Sequence, residues 1–163
     1  FVRYAEGVNV PYIHMGGKVG VLVNLAVEGI EPQQVTELGK DIAMQICAMN
    51  PSYLDKSDVS QEVLDKEKEI QLALMANDPK MAAKPDKVKE GIVMGKLGKY
   101  YEENCLLKQP FIKDDKQTVA ALLKAAGNAE INRFAFYVMG EGLEKKNENL
   151  DEEVAKQVAA MKK

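Results

Sequence analysis

Apolar and polar positions alternate in the first thirty residues, and glycines interrupt the alternation. Every second position of one stretch is apolar, which predicts a half-buried strand containing Val19, Val21, Val23 and Leu25. Gly16-Gly17 separates this stretch from an earlier alternating run, and the pair predicts a β-hairpin because glycine accepts the positive φ angles of a tight turn. In the first strand of that hairpin, Tyr12 and His14 are expected on one face.

The apolar spacing changes to three and four residues after Glu31-Pro32. This period predicts an amphipathic helix that ends near Met49 and buries Val35, Leu38, Ile42 and Ile46. Asn50-Pro51 ends the helix, because the residue before a proline avoids the helical conformation. A loop follows, and Ser60 is expected to cap the next helix.

Residues 61–105 are predicted to form two charged helices joined by a polar break at Asn77-Asp78-Pro79. In the first helix, one side is expected to contain Val59, Val63, Ile70 and Leu74. The second helix, from Pro85 to Cys105, is expected to have one apolar stripe of Val88, Ile92, Val93, Leu97, Tyr100 and Tyr101. Two helices have little core of their own, so we expect this arm to meet another subunit or the parent domain.

The last third of the sequence, after the charged helices, has the mixed strand and helix patterns of a compact domain. Leu107–Ile112 is expected to be extended, and Asp114–Thr118 to begin a helix with acidic residues near its positive end. The stretch 129–139 is predicted to be a strand, and its apolar residues on both faces favour a central place in the sheet. A final helix is expected over Asp151–Lys163.

These elements predict an α+β fold: an antiparallel sheet of about three strands with packed helices and an inserted antiparallel helical hairpin. Residues 1–58 and 106–146 would form the main subdomain, residues 59–105 the inserted hairpin, and residues 147–163 a C-terminal helical module. The length of 163 residues suits one domain with an appendage. The first residues, Phe1-Val2-Arg3-Tyr4, resemble the middle of a strand, so we expect the chain to be a fragment of a longer protein.

Charge and composition exclude several classes of function. A net charge of −3 argues against a nucleic-acid partner, because binding phosphates requires a concentrated basic face. The sequence has no run of ~18 apolar residues, so we expect no membrane span. It contains one histidine and two cysteines without close ligand pairs, so neither a metal nor a cofactor is expected. Cys47 and Cys105 lie in apolar helical surroundings, which indicates buried thiols and suits a reducing cytoplasm.

Two further interpretations of the chain remain open at this point. One is a small enzyme in which His14 works with Cys47 or Cys105. The other is an interaction scaffold that forms a homodimer through residues 61–105. The glycines near Lys18 match neither a P-loop nor a dinucleotide-binding motif, and they lie between strands instead of before a helix.

Four blocks of sequence resemble the elongation factor Ts family of bacteria, in the family's own order. Residues 12–23 resemble Y-x-H-x-G-x-[RK]-[IV]-G-V-L-V, and residues 42–54 resemble I-A-M-x-[IV]-A-A-x-x-P-x-[YF]. Residues 106–115 resemble L-L-x-Q-P-[FY]-[VI]-K-D, and residues 133–146 resemble R-F-x-[RK]-[FY]-x-[VL]-G-E-G-[IL]-E-K-[KR]. The resemblance covers essentially the whole chain.

The resemblance implies a guanine-nucleotide exchange factor for elongation factor Tu, acting in translation elongation without covalent chemistry. The chain would correspond to the C-terminal core subdomain, the dimerisation hairpin and the C-terminal module. The family also has an N-terminal domain and a subdomain with a T-D-F-V motif, whose Asp-Phe pair intrudes near the magnesium site of the GTPase. No T-D-F-V occurs in this sequence, so we expect binding with poor exchange.

The resemblance also implies which residues contact partners. Contacts with elongation factor Tu are expected from His14, Met15, Gly16 and Ile112, and from the last helix through Val154 and Val158. Contacts between two copies of the arm are expected from Val63, Ile70, Leu74, Ile92, Leu97 and Tyr100.

Overall fold

The glycine-punctuated first segment forms the predicted β-hairpin. The computed structural model describes residues 6–127 and 129–143 of the chain. Strand β1 (Val8–His14) pairs antiparallel with β2 (Val19–Ala26), with Val10 opposite Val23 and His14 opposite Val19. A short 3-10 turn, Met15–Gly17, joins the two strands. The alternate residues Val21, Val23 and Leu25 are buried, as the period of two predicts.

A third strand, β5 (Glu130–Val138), completes an antiparallel sheet in the order β1-β2-β5. The prediction of a three-stranded antiparallel sheet in an α+β fold is confirmed, but the central place given to β5 is wrong. Strand β2 is the central strand, because it pairs with β1 on one side and with β5 on the other. The apolar residues on both faces of β5 suggested a central strand, but one of them, Tyr137, is exposed in this edge strand.

Helix α1 (Pro32–Met49) packs across β1 and β2 and supplies five of the fourteen buried residues of the main hydrophobic core. Its buried residues are Val35, Leu38, Gly39, Ile42, Ala43, Gln45 and Ile46. Gly39 lies directly against Val10, so closely that a Cβ atom there would overlap the valine side chain. The helix ends at Asn50, which adopts a left-handed conformation with φ 44°, before Pro51.

The segment after the arm differs from the prediction in two ways. Residues Leu106–Lys108 form a 3-10 turn, and only β3 (Pro110–Phe111) is extended. Residues Asp114–Thr118 form strand β4, which pairs with β3, and not the start of a helix. Helix α5 (Val119–Ala125) begins directly after β4. Thr118 caps it, because its hydroxyl accepts a hydrogen bond from the Ala121 amide at 3.2 Å.

Residues 61–104 form a helical arm, with α2 (Gln61–Asn77), a short α3 (Pro79–Ala82) and α4 (Asp86–Asn104). As predicted, the Ser60 hydroxyl caps α2 by accepting from the Val63 amide. The arm has its own small core, which consists of Met75, Val93 and Leu97 with Leu64, Met81 and Ile92 around them. Its two ends are joined at the base, where the amides of Ser52 and Tyr53 both donate to the Asn104 carbonyl at 3.0 Å.

Candidate functional site

The end of the β1–β2 hairpin presents the first group of predicted contact residues. His14 is the last residue of β1 and is exposed. Its ring stacks on Tyr12, with 5.9 Å between ring centroids, and the Tyr12 hydroxyl lies 3.3 Å from His14 Nδ1. The two side chains therefore share one face of the strand, as the sequence predicts, and Tyr12 fixes the direction of the imidazole.

The hairpin turn holds Met15 outward through an unusual backbone. Met15, Gly16 and Gly17 have positive φ angles of 51°, 65° and 94°. Glycine adopts this region freely, but a methionine there is uncommon and needs support from its surroundings. The turn leaves the Met15 side chain 62% exposed, so a flexible apolar group projects beside His14.

Neighbouring strands extend this exposed apolar surface. In the register of the sheet, Val138 lies beside Val19, which pairs with His14 on its other side. The Met139 amide donates to the Lys18 carbonyl at 2.8 Å, so the end of β5 is tied to the same turn. We call this surface the hairpin-end patch and define it as Ile13, His14, Met15, Gly16, Val138 and Met139.

Three members of the hairpin-end patch, Ile13, Val138 and Met139, were not among the predicted contact residues. All three are exposed. A sequence signal for Val138 and Met139 exists, since the apolar run of β5 continues up to Gly140 without a polar residue. The pairing of β5 with β2, which brings them to the same end of the sheet as His14, joins residues more than a hundred positions apart, so local pattern alone does not reveal it.

Ile112 lies on a different turn, which joins β3 to β4. Its side chain is 44% exposed, so it is not the core residue that its apolar character alone suggests. The turn rests on the flank of α1, where the Ile112 amide donates to Gln45 Oε1 at 2.9 Å and Lys113 Nζ lies 2.6 Å from Asp41 Oδ1. Ile112 and the hairpin-end patch thus belong to segments that both contact α1.

The predicted contact residues of the arm divide into two groups. Leu97 is buried in the core of the arm, Ile92 packs against that core, and Tyr100 is half-buried, with burial and the neighbouring Tyr53 raising the pKa of its phenol. Ile70 and Leu74 instead face solvent, and Val63 is half-buried. The inward side of α2 contains Leu64 and Met75, one position beyond the residues of the predicted stripe.

Near the exposed Ile70 and Leu74, the arm also exposes Leu72 of α2 and Met94 of α4. A cavity of about 300 Å³ between α2 and α4 is lined by Lys68, Leu72, Glu90, Val93 and Met94. The remaining predicted contact residues, Val154 and Val158, lie outside the described residues, as does the stretch Asp151–Lys163 for which a final helix was predicted.

The prediction of buried thiols is correct for Cys105 but not for Cys47, which lies near the end of α1 and is only half-buried. Cys105 is fully buried at the base of the arm, and burial raises the pKa of its thiol, with the carboxylates of Asp55 and Asp58 adding to the shift. Cys47 packs against the main core. The ring of His14 contacts Tyr12, Cys105 is fully buried, and Cys47 packs against the edge of the main core, so this arrangement gives no support to a nucleophile-base pair.

The described part of the chain has neither a candidate metal site nor a helix that could span a membrane. Residues 6–127 and 129–143 contain no group of three or more His, Cys, Asp or Glu side chains that could hold a metal ion. Within the same residues, each helix is too short or too polar to cross a lipid bilayer.

Comparisons with known proteins agree on one family. The profile of a family described as elongation factor TS matches residues 1–141. An elongation factor Ts of Clostridium botulinum (strain Eklund 17B / Type B) is 44% identical over 165 residues, covering 97% of this chain and 53% of the relative. One from Anaeromyxobacter sp. (strain Fw109-5) is 45% identical, covering 96% of this chain and 74% of the relative. The chain spans about half the length of the clostridial relatives it matches.

Proposed function

Because this chain belongs to the elongation factor Ts family, we propose that it is part of a guanine-nucleotide exchange factor for elongation factor Tu. In that role it promotes release of GDP during translation elongation in the cytoplasm. Exchange of this kind needs no covalent step. The factor and the nucleotide bind the GTPase with negative coupling, so each weakens the affinity of the other by the same factor.

The observation on which the proposal rests is the hairpin-end patch. It brings the residues of the family's strand-pair motif, His14, Met15 and Gly16, to an exposed edge with Val138 and Met139. Exposed apolar side chains around a histidine with a fixed orientation suit a protein contact, where a few well-placed residues supply most of the affinity. Ile112 is proposed as a second contact, and Val154 and Val158 of the final helix as a third.

We propose that these 163 residues bind elongation factor Tu but exchange its nucleotide poorly. The T-D-F-V motif, whose Asp-Phe pair the resemblance places near the magnesium site of the GTPase, does not occur in this sequence. Contacts from the hairpin-end patch and Ile112 would then supply docking energy without displacing the metal and its nucleotide.

Calorimetric titration against nucleotide-free elongation factor Tu, with the GDP complex in parallel, tests the proposal. We expect binding that is selective for the nucleotide-free form. Met15→Ala should weaken it by about 1–3 kcal/mol. Met49→Ala is the control, because Met49 is an exposed methionine at the end of α1, 42% against 62%, and belongs neither to the hairpin-end patch nor to the arm. Equal losses for the two variants, or wild-type binding that does not discriminate between the two forms, would contradict the proposal.

A second role, homodimerisation through residues 61–105, is favoured by the apolar residues that the arm leaves exposed. Ile70, Leu72, Leu74 and Met94 have no place in the arm's own core, whereas Leu97 has. We expect the 163-residue chain to sediment as a concentration-dependent dimer, and Ile70→Glu with Leu74→Glu to shift it to a monomer. A monomer at every concentration of the wild-type chain would refute this role.

A further inference from the structure

We propose that Gln45 is a positioning residue, which holds the β3–β4 turn on helix α1 so that Ile112 is presented to the GTPase. This inference rests on the proposed function, because it assigns Ile112 a contact with elongation factor Tu. Gln45 is the one polar side chain on the buried face of α1, which is otherwise lined by apolar residues and Gly39, and it is fully buried. A buried amide is costly unless its hydrogen bonds are made, so its presence requires an explanation.

Gln45 makes three hydrogen bonds, and all go to the segment around the turn. Its Nε2 donates to Gln109 Oε1 and to the Pro110 carbonyl, both at 3.1 Å. Its Oε1 accepts from the Ile112 amide at 2.9 Å. The backbone groups fix which way the amide points, because a carbonyl only accepts and an N–H only donates. The same orientation leaves Gln109 Nε2 to donate to the Glu103 carbonyl, at 2.8 Å.

The turn itself has weak internal support, which makes the clamp necessary. Ile112 and Lys113 alone join β3 to β4, and neither has a positive φ angle. Two-residue hairpin loops favour turns with positive φ at one or both positions, because those turns match the twist of the strands. Strand β3 is also only two residues long. The position of Ile112 is therefore set by α1 more than by its own hairpin.

Asp41 assists from one helical turn earlier, where its carboxylate meets Lys113. That ion pair is partly exposed, with the lysine side chain half in solvent, so its contribution is small. The buried amide of Gln45 is the stronger restraint, since removing it leaves the Ile112 amide, the Pro110 carbonyl and Gln109 Oε1 without their partner.

The test compares binding of nucleotide-free elongation factor Tu by four forms of the 163-residue chain: wild type, Gln45→Leu, Ile112→Ala and the double variant. We expect Gln45→Leu and Ile112→Ala each to weaken binding about tenfold. If Gln45 acts through Ile112, the double variant binds no more weakly than Ile112→Ala alone. If the two tenfold losses of affinity are independent, so that the double variant binds about a hundredfold more weakly than wild type, the proposal is overturned. Unchanged binding by Gln45→Leu would also overturn it.

Two further variants separate positioning from general destabilisation. Ile46→Val removes one buried methylene from the neighbouring position of α1, and it should lower stability without changing the affinity. Gln45→Glu keeps an oxygen that accepts from the Ile112 amide, but it loses both donated hydrogen bonds and buries a carboxylate beside two acceptor oxygens, so it should bind no more tightly than Gln45→Leu. If Ile46→Val weakens binding as much as Gln45→Leu does, the role of Gln45 is structural only.

Amide hydrogen exchange at Ile112 distinguishes failure of this inference from failure of the proposed function. Gln45→Leu should accelerate exchange of that amide while leaving the amides of β2 protected. If exchange is accelerated in this way but the wild-type chain does not bind the GTPase, the proposed function is overturned. The restraint of the β3–β4 turn by Gln45 then still stands. An unchanged exchange rate at Ile112 would overturn the clamp itself.

Discussion

Gly39 is the position where the fold of the main body can be tested most sharply. It lies in the middle of α1, where glycine is unfavourable by about 1 kcal/mol relative to alanine. A Cβ built there would lie 2.7 Å from Val10 Cβ and 3.0 Å from Val10 Cγ1, and closer still to Cγ2. The glycine is therefore required by the close approach of helix and strand, and not by its backbone angles.

Gly39→Ala should destabilise the chain in spite of the better helix propensity. Overpacking a core typically costs about 1–3 kcal/mol, and the propensity gain offsets up to about 1 kcal/mol of this. We expect a net loss of about 1–2 kcal/mol in the free energy of unfolding, measured by urea titration. The matched control is Gly95→Ala in α4, where the added Cβ meets nothing within 4 Å and should stabilise the arm slightly.

A double variant locates the cause of the loss. Val10→Ala removes the two γ carbons that crowd Gly39, so Val10→Ala with Gly39→Ala should be more stable than the sum of the single losses, by about 1 kcal/mol. The rescue is partial because Val10 Cβ remains. A neutral or stabilising Gly39→Ala, or losses that simply add, would refute the close contact between α1 and β1.

Three other outcomes follow from the burial and capping of particular residues. Cys47 should react with a thiol reagent in the native chain, whereas Cys105 should react only on unfolding, because burial and its raised pKa keep it a protonated thiol; equal rates would contradict this. Thr118→Ala should cost about 1 kcal/mol through loss of the α5 cap, measured by thermal unfolding. Leu97→Ala should expose the amides of α4 to hydrogen exchange far more than Leu74→Ala, since Leu97 is 5% exposed and Leu74 59%.

Sequence patterns predict the elements whose structure is decided by near neighbours. The alternation around Val21 and the double glycine before it correctly indicate the β-hairpin, and the three-and-four spacing after Pro32 correctly indicates α1. The arm is predicted for the same reason. Its inward side is less well predicted, because the second half of α2 has apolar residues on more than one side and the choice between Leu74 and Met75 depends on how α4 packs.

The errors fall where pairing between strands decides, both across a short turn and between distant segments. The acids of Asp114–Thr118 suggest the first turn of a helix, but Asp114 instead accepts from the Lys116 amide and from Gln117 Nε2, and the strand pairs with β3. The place of β5 in the sheet is another long-range property. The Gln45–Gln109 bond joins residues 64 positions apart, so no local signal indicates that either glutamine is buried.

Helix α1 connects the two described contact segments of the proposed exchange factor. Its apolar face packs under the strands that end in the hairpin-end patch, and its flank holds the turn of Ile112 through Asp41 and Gln45. A single helix of 18 residues therefore fixes the spacing of both segments. An exchange factor must bind one state of its GTPase better than another, and that difference is reduced when binding energy is used to order flexible segments. The buried glutamine in α1 is explained by this requirement, since it restrains a turn that its own backbone holds weakly.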